Sequence, residues 1–166
     1  MIGGYQIRLY QPDDLAQVMA LFSASVHTLA ADAYSAAQRQ AWAPESPDVE
    51  PWAQLLDKDR VWVAETDGQL AGFIALDPSP TGDCAENTGM VDMLYCHPDH
   101  ARRSVASALY QILETQARTL NLAALQTHAS EIARPFFARQ GFSVIAHEEV
   151  KRNGALLGRY RMGKTL

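Results

Sequence analysis

The sequence predicts a single α/β (α+β) domain spanning residues 1–166, with a mixed, twisted sheet of about seven strands and four helices. Three observations carry this expectation. Apolar residues recur at helical spacing before residue 60, and at Arg60 the pattern changes to strand-like runs. Asp67-Gly68 separates two strand-like runs, RVWVAET and QLAGFIAL, as a two-residue hairpin turn does. The stretch VDMLYCHPDHARRSVASAL, residues 91–109, then reads as a strand running into a helix, with a further strand, LAALQTHA, after that helix.

In chain order, YQIRLY is a short first strand, and Gln11-Pro12-Asp13-Asp14 supplies a turn and an acidic helix start. Leu15, Val18, Met19, Phe22, Val26 and Leu29 hold one helical stripe, with His27 on its flank, where both a structural rim role and a substrate contact fit. Ser35 is placed to cap a short second helix that stops before Pro44. That helix lacks a strong apolar face, so Tyr34 and Trp42 fit either a pocket wall or partial burial against the first helix. Residues 44–51 are turn-rich, and Trp52 to Leu56 can add one more helical turn. Residues 77–88 form a polar loop, and 90–96 the strand that enters the helix from Val105. Residues 131–140 form a short helix, with Pro135 tolerated only in its first turn and Gly141 ending it. Strands at 142–151 and 156–162 close the chain around Asn153-Gly154. The order is β-α-α-β-β-β-α-β-α-β-β.

Composition excludes several classes of protein. Hydrophobic residues make up 48% and charged residues 20%, a balance that places the chain outside the disordered class. No run reaches the ~18 apolar residues of a membrane span, and the N-terminus lacks a signal-peptide pattern, so a cytoplasmic location is expected. Cys84 and Cys96 form no metal-binding spacing and read as reduced thiols, with no metal expected. The net charge of −5 divides unevenly: residues 1–100 carry 4 Lys+Arg against 15 Asp+Glu, and residues 101–166 carry 10 against 4. The second half therefore suits an anion and the first a cationic or neutral ligand, while solvated faces without a ligand remain the alternative.

The turn between strand and helix carries the chemistry. Pro98 ends the strand, and Arg102, Arg103 and Ser104 precede Val105 at a helix start whose first N–H groups have no intrahelical partner. Such a turn suits a phosphate. This stretch, with AS-EIARPFFARQGF further on, resembles the GNAT superfamily of acyl-CoA-dependent N-acetyltransferases across essentially the whole chain. Leu94, Cys96 and Pro98 match the family's strand end, whose backbone pairs with the pantetheine arm. Its Q/R-x-x-G-x-G/A signature falls on residues 101–106, where Ala101 and Ser104 depart from it and Ala106 matches.

The resemblance implies the GNAT fold, acetyl-CoA as co-substrate, and a coenzyme site at Leu94, Tyr95, Cys96, Arg102, Arg103, Ser104, Val105, Ala106, Ser107, Ser130, Ala133, Phe136 and Phe137. At Phe137 the family often has a tyrosine that serves as general acid, a role phenylalanine cannot fill. Alternation along the strand puts Asp92 on the face of Leu94 and Cys96. The family often holds an acidic base at that position, which makes Asp92 the first candidate and Glu65 the second, with structural carboxylates as the alternative. The segment VHTLAADAYSAAQRQAWAP is similar to small bacterial YafP-type acetyltransferases and implies a substrate wall of His27, Tyr34 and Trp42.

The expected activity is transfer of acetyl from acetyl-CoA to a primary amine of a small molecule or peptide N-terminus by direct attack in a ternary complex. The alternative is a non-catalytic acyl-CoA-binding module. Expected partners are the amine and coenzyme A, with neither nucleic acid nor membrane, and a homodimer is left open.

Overall fold

A computed structural model describes residues 4–80, 85–101 and 104–166. A seven-stranded sheet runs in the order β1-β2-β3-β4-β5-β7-β6. Its strands are β1 Gln6–Leu9, β2 Arg60–Thr66, β3 Gln69–Asp77, β4 Thr88–Cys96, β5 Ala124–Ala129, β6 Ser143–Arg152 and β7 Ala155–Thr165. Every neighbouring pair is antiparallel except β4 and β5, which are parallel and joined by helix α4, Val105–Thr119. Four further helices are α1 Leu15–Leu29, α2 Ala36–Trp42, α3 Val49–Lys58 and α5 Arg134–Arg139. Among the described residues no helix is long and apolar enough to cross a membrane.

The local expectations of turn chemistry hold. Asp67 and Gly68 both take positive φ, +50° and +75°, and Asn153 and Gly154 do the same at the β6–β7 turn, +46° and +85°. Ser35 caps α2 by accepting from the Gln38 N–H at 3.1 Å, and the Gln38 side chain returns a bond to the Ser35 N–H. Pro135 falls in the first turn of α5, where its missing N–H costs nothing.

The helix count differs from the expected four. Residues 49–58 form a full ten-residue helix where the sequence suggests at most one turn. Pro51 lies in its first turn, so a residue that reads as a breaker is compatible with the helix. Leu56 is buried, and Trp52 packs edge-on against Phe22 of α1 with ring centroids 4.8 Å apart.

The sheet is covered on both faces. Ile74, Val91, Leu109, Leu113, Leu125 and Phe137 belong to the core that includes α4 and α5. Val18, Leu21, Leu56, Val63 and Phe73 form the core beneath α1 and α3. One glycine sets how closely α4 approaches. A Cβ on Gly72 of β3 would lie 2.9 Å from Val105 Cγ1, 3.1 Å from Leu109 Cδ1 and 3.1 Å from the Tyr95 carbonyl oxygen. Neither the backbone nor the packed α4 side chains can yield cheaply. Gly72→Ala is therefore expected to destabilise the fold by about 1–3 kcal/mol, as overpacking does, read as a lower urea midpoint at unchanged m value.

Candidate active site

The site begins where two paired strands separate. β4 and β5 pair from Thr88↔Ala124 to Val91↔Thr127, and no pairing continues beyond that point. Thr127 Oγ1 donates to the Val91 carbonyl at 2.9 Å and closes the crotch of the fork. On its other edge β4 continues against β3, but with a bulge: Val91 opposes Leu76 and Met93 opposes Ala75, so Asp92 is the extra residue. Along Met93–Cys96 the edge of β4 facing β5 therefore lies open inside the sheet, the kind of edge an extended ligand can pair with.

The bulge corrects the expected facing of Asp92. Leu94 and Cys96 pack into the core with α4, whereas Met93 and Tyr95 pack with α1 and α3. Strict alternation would put Asp92 with the first pair, but the extra residue turns it toward the second. Asp92 instead lines a cleft with Met93 and Tyr95, bounded by Phe22 of α1 and by Trp42 and Trp52. The cleft volume is about 510 Å³, within the range that holds small molecules.

The carboxyl of Asp92 does not stand alone. Oxygens of Asp59, Asp77 and Asp92 all lie within 4.8 Å of one another. Lys58 supplies a cation, with Nζ 2.9 Å from Asp77 Oδ2 and 3.3 Å from Asp59 Oδ1. The Asp59 side chain is wholly buried, and among the described residues neither of its oxygens accepts a hydrogen bond. A proton on Asp92 supplies the missing donor. Asp92 reaches solvent through the cleft, yet the surrounding protein removes much of its water. That loss first, and then the bond to Asp59 and its charge, push the Asp92 carboxyl up to about 8 from its ordinary 3.8, with Lys58 acting in the opposite direction. Oxygen-rich clusters of this kind can hold a divalent cation, but here the Lys58 ammonium already sits against two of the carboxylates.

The start of α4 has unusual backbone geometry. Ser104 takes φ +66°, ψ +12°, the left-handed region, and makes no side-chain cap. A glycine fits this conformation without cost, which accounts for the glycine in the signature that Ser104 replaces. The Ala106 N–H bonds to the Cys96 sulfur, tying the strand end to the helix start, and burial pushes the Cys96 thiol up to about 11. Val105 is buried against β3. The N–H groups of Val105, Ala106 and Ser107 have no partner within the helix. Arg102, Arg103 and Cys84 lie outside the described residues.

The remaining expected residues separate into three groups. Tyr34, Trp42, Tyr95 and Ser130 line the cleft. The Tyr34 hydroxyl donates to the Gly158 carbonyl at 2.8 Å and accepts from the Glu131 N–H at 2.9 Å, while its ring meets Trp42 edge-on at 5.3 Å. The Tyr95 hydroxyl, bonded to the Trp42 side chain, is pushed up to about 12 by burial. Ser130 Oγ accepts from the Ala133 N–H at 3.1 Å, which caps the turn into α5.

The second group lies in the core. Phe137 is buried against Phe142 and Phe136, at 5.1 and 5.4 Å, and Phe136 meets Tyr110 edge-on, so neither ring belongs to the cleft wall.

The third group has structural partners elsewhere. His27 Nε2 donates to the Ala43 carbonyl at 2.7 Å and joins α1 to the end of α2. Glu65 accepts from Arg8 Nε at 2.8 Å, and Arg8 also binds Asp14 through both terminal nitrogens, which ties β1 to β2 and to the start of α1. Neither His27 nor Glu65 lines the cleft.

Residues that sequence reasoning missed are Lys58, Asp59 and Trp52, together with Arg152 and Arg159 on the far wall. Lys58-Asp59-Arg60 reads as an ordinary charged connection, and no spacing rule joins it to residue 92. The far wall is held in place by the β6–β7 turn: Asn153 Nδ2 donates to the Ala41 carbonyl at 2.7 Å and Gln38 Nε2 to the Leu156 carbonyl at 3.0 Å.

Residues 24–142 match the acetyltransferase (GNAT) family. The chain belongs to that family. As a GNAT protein it is an acyltransferase. It is 36% identical over 157 residues, 95% of this chain and 93% of the relative, to the uncharacterized N-acetyltransferase YafP of Escherichia coli K12. A GCN5-related N-acetyltransferase from Rhodopseudomonas palustris superposes with a TM-score of 0.87 at 33% identity, covering 98% of this chain and 96% of that one. The PaiA N-acetyltransferase of Thermoplasma acidophilum, solved with coenzyme A, shares the fold with a TM-score of 0.77 at 18% identity, covering 98% and 99%.

The raised carboxyl of this GNAT protein also has a consequence for stability. Between about pH 4 and pH 8 the folded chain holds a proton on Asp92 that the unfolded chain has released, so this group's contribution to stability falls as pH rises through that window. Asp92→Asn should remove the dependence. Thermal melts are expected to show the variant more stable than the parent at pH 8 and no more stable at pH 4; a parallel pair of profiles would assign Asp92 an ordinary acidity.

Proposed function

We propose that this GNAT acyltransferase moves an acetyl group from acetyl-CoA to a primary amine bound in the cleft, by direct attack in a ternary complex, with Asp92 as the base. The observation that carries the reading is the position of Asp92 at the residue where β4 and β5 part. An acid is thereby brought beside the open backbone edge against which the acyl donor would lie.

Acetyl-CoA supplies the acyl group as a thioester, with a thiol as leaving group. The chain's residues fit such a molecule in two respects. The unpaired edge of Met93–Cys96, including Leu94 and Tyr95, offers backbone groups to an extended amide-bearing arm, and its N–H groups can stabilise negative charge developing on an oxygen. The first N–H groups of α4 at Val105 and Ser107, with Ser104 turned left-handed before them and the Ala106 N–H held by the Cys96 sulfur, form an anion-binding helix start. Arg102 and Arg103 would add charge there. Coenzyme A in the PaiA relative agrees with this reading.

Asp92 suits an amine in its acidity. An alkylammonium has a pKa near 10, so an ordinary aspartate is a base about six pH units too weak. At about 8 the gap narrows to about two. Asp59 sustains this by opposing a second negative charge, and Lys58 limits it. Tyr34 and Trp42 line the cleft as part of the acceptor wall. With phenylalanine at 137, the thiol would leave without a tyrosine at that position, a step tolerable for a group with pKa near 8.5.

The decisive measurement is a free-thiol assay with an amine panel, paired with calorimetric titration of acetyl-CoA. Acetyl-CoA is expected to bind, and kcat/KM to rise with pH toward a plateau with an apparent pKa near 8. Asp92→Asn should lower kcat by about 10²–10⁴ with coenzyme affinity nearly unchanged. Binding without turnover on any amine would point to the acyl-CoA-binding module instead, and an unaltered kcat would remove Asp92 from the chemistry.

A further inference from the structure

We infer that the amine accepted by this cleft carries a carboxylate, held by Arg152 and Arg159 on the wall formed by the β6–β7 hairpin. This deepens the acetyl-transfer reading and rests on it for the identity of the reacting group.

The cleft has two chemically different walls. Asp92 and Lys58 belong to one, with the carboxyls of Asp59 and Asp77 within 4.8 Å of that of Asp92, and Arg152 and Arg159 line the same cleft from β6 and β7. Strand register sets what surrounds them. Arg152 pairs with Ala155, Val150 with Leu157 and Glu148 with Arg159, so Glu148, Val150, Arg152, Leu157, Arg159 and Arg161 share one face of the hairpin. That face carries three guanidinium groups and one carboxylate. Glu148 stands opposite Arg159 and reaches Arg161 only at 3.8 Å. Among the described residues Arg152 and Arg159 form no ion pair within 4.0 Å, and Arg159 Nε is buried without a hydrogen-bond partner. His128, on the adjacent strand and lining the same cleft, adds no anion. Burial and the charge of Arg159 hold it toward its neutral form.

Like charges gathered on one face repel, and a partly buried guanidinium with an unused donor carries a desolvation cost. An anionic ligand group removes both penalties. Arginine presents a planar fork that matches a carboxylate through two parallel N–H···O bonds. The wall is also preorganised: Asn153 fastens its turn to Ala41, Gln38 fastens Leu156, and the Tyr34 hydroxyl fastens Gly158, immediately before Arg159. A ligand with an ammonium toward Asp92 and a carboxylate toward the arginines complements both walls, and the rings of Phe22, Trp42 and Trp52 offer apolar surface to the body between them.

The test compares α-, β- and γ-amino acids, each against its own carboxamide, as acetyl acceptors and as ligands titrated into the coenzyme A complex. For the best pair the acid is expected to exceed its amide by at least tenfold in kcat/KM and in affinity. Arg159→Gln and Arg152→Gln should each lower the acid's kcat/KM by tenfold or more, mostly through KM, with coenzyme affinity within twofold of the parent. Arg159→Lys, which keeps the charge, should recover part of the loss and controls for folding. Acids and amides used equally, no acid bound or acetylated, or an Arg159→Gln variant that loses coenzyme instead of acid would each overturn the inference. Acids that bind selectively but are never acetylated would leave it standing and sink the acetyl-transfer reading. Simple amines acetylated without preference for a carboxylate would do the reverse.

Discussion

The parting of β4 from β5 at Asp92 is the constraint on which the rest of the site depends. A parallel pair that continued to Cys96 would consume the backbone groups of Met93–Cys96 in the sheet and leave no internal edge. One extra residue in β4 bends the strand there and rotates its side-chain pattern by one position. The same bulge therefore brings an acid into the cleft and marks where the edge begins. Thr127 secures the last paired position, and Gly72 lets α4 seat its first turn directly against the sheet beyond it.

Around that fork the protein tolerates interactions that a purely structural core would avoid. Three carboxyls share a space of a few ångströms with one lysine, and the side chain of one of them, Asp59, is wholly buried. On one face of the β6–β7 hairpin three arginines share the surface with one glutamate, and two of them, Arg152 and Arg159, line the cleft. Each arrangement costs stability through repulsion and lost hydration. An acid on one side of the cleft and two arginines on the other suit a ligand that carries an amine and a carboxylate, and helices α1 to α3 enclose that space with aromatic rings instead of filling it. The paired charges elsewhere behave differently: Arg8, Asp14 and Glu65 satisfy one another, and that network holds β1 and α1 together away from the cleft.

Much of the fold was legible because it rests on local chemistry. Asp67-Gly68 and Asn153-Gly154 need positive φ and adopt it, Pro135 sits where a helix accepts it, and the apolar periods mark α1, α4 and the strands. Helix α3 is only partly legible because Pro44, Pro47 and Pro51 read as breakers, although Pro51 is harmless in a first turn. His27 lies on the flank of the α1 stripe and Glu65 at the hairpin start, but their partners, Ala43 and Arg8, lie 16 and 57 positions away. No period or spacing rule reports such contacts.

The sequence by itself determined the element order, the strand-to-helix turn and its family resemblance, and the choice of Asp92 as a residue of interest. These follow from backbone preferences and short-range periodicity, which act between neighbours in the chain. Only the tertiary structure decided which way Asp92 points, because a bulge is defined by two strands and not by one. It also decided that Lys58, Asp59 and Asp77 gather around Asp92, that Phe137 turns into the core, and that Arg152 and Arg159 come to share a cleft with Asp92. Charge acts through space, and distances between the charges exist only once the sheet has brought β2, β3, β4, β6 and β7 together.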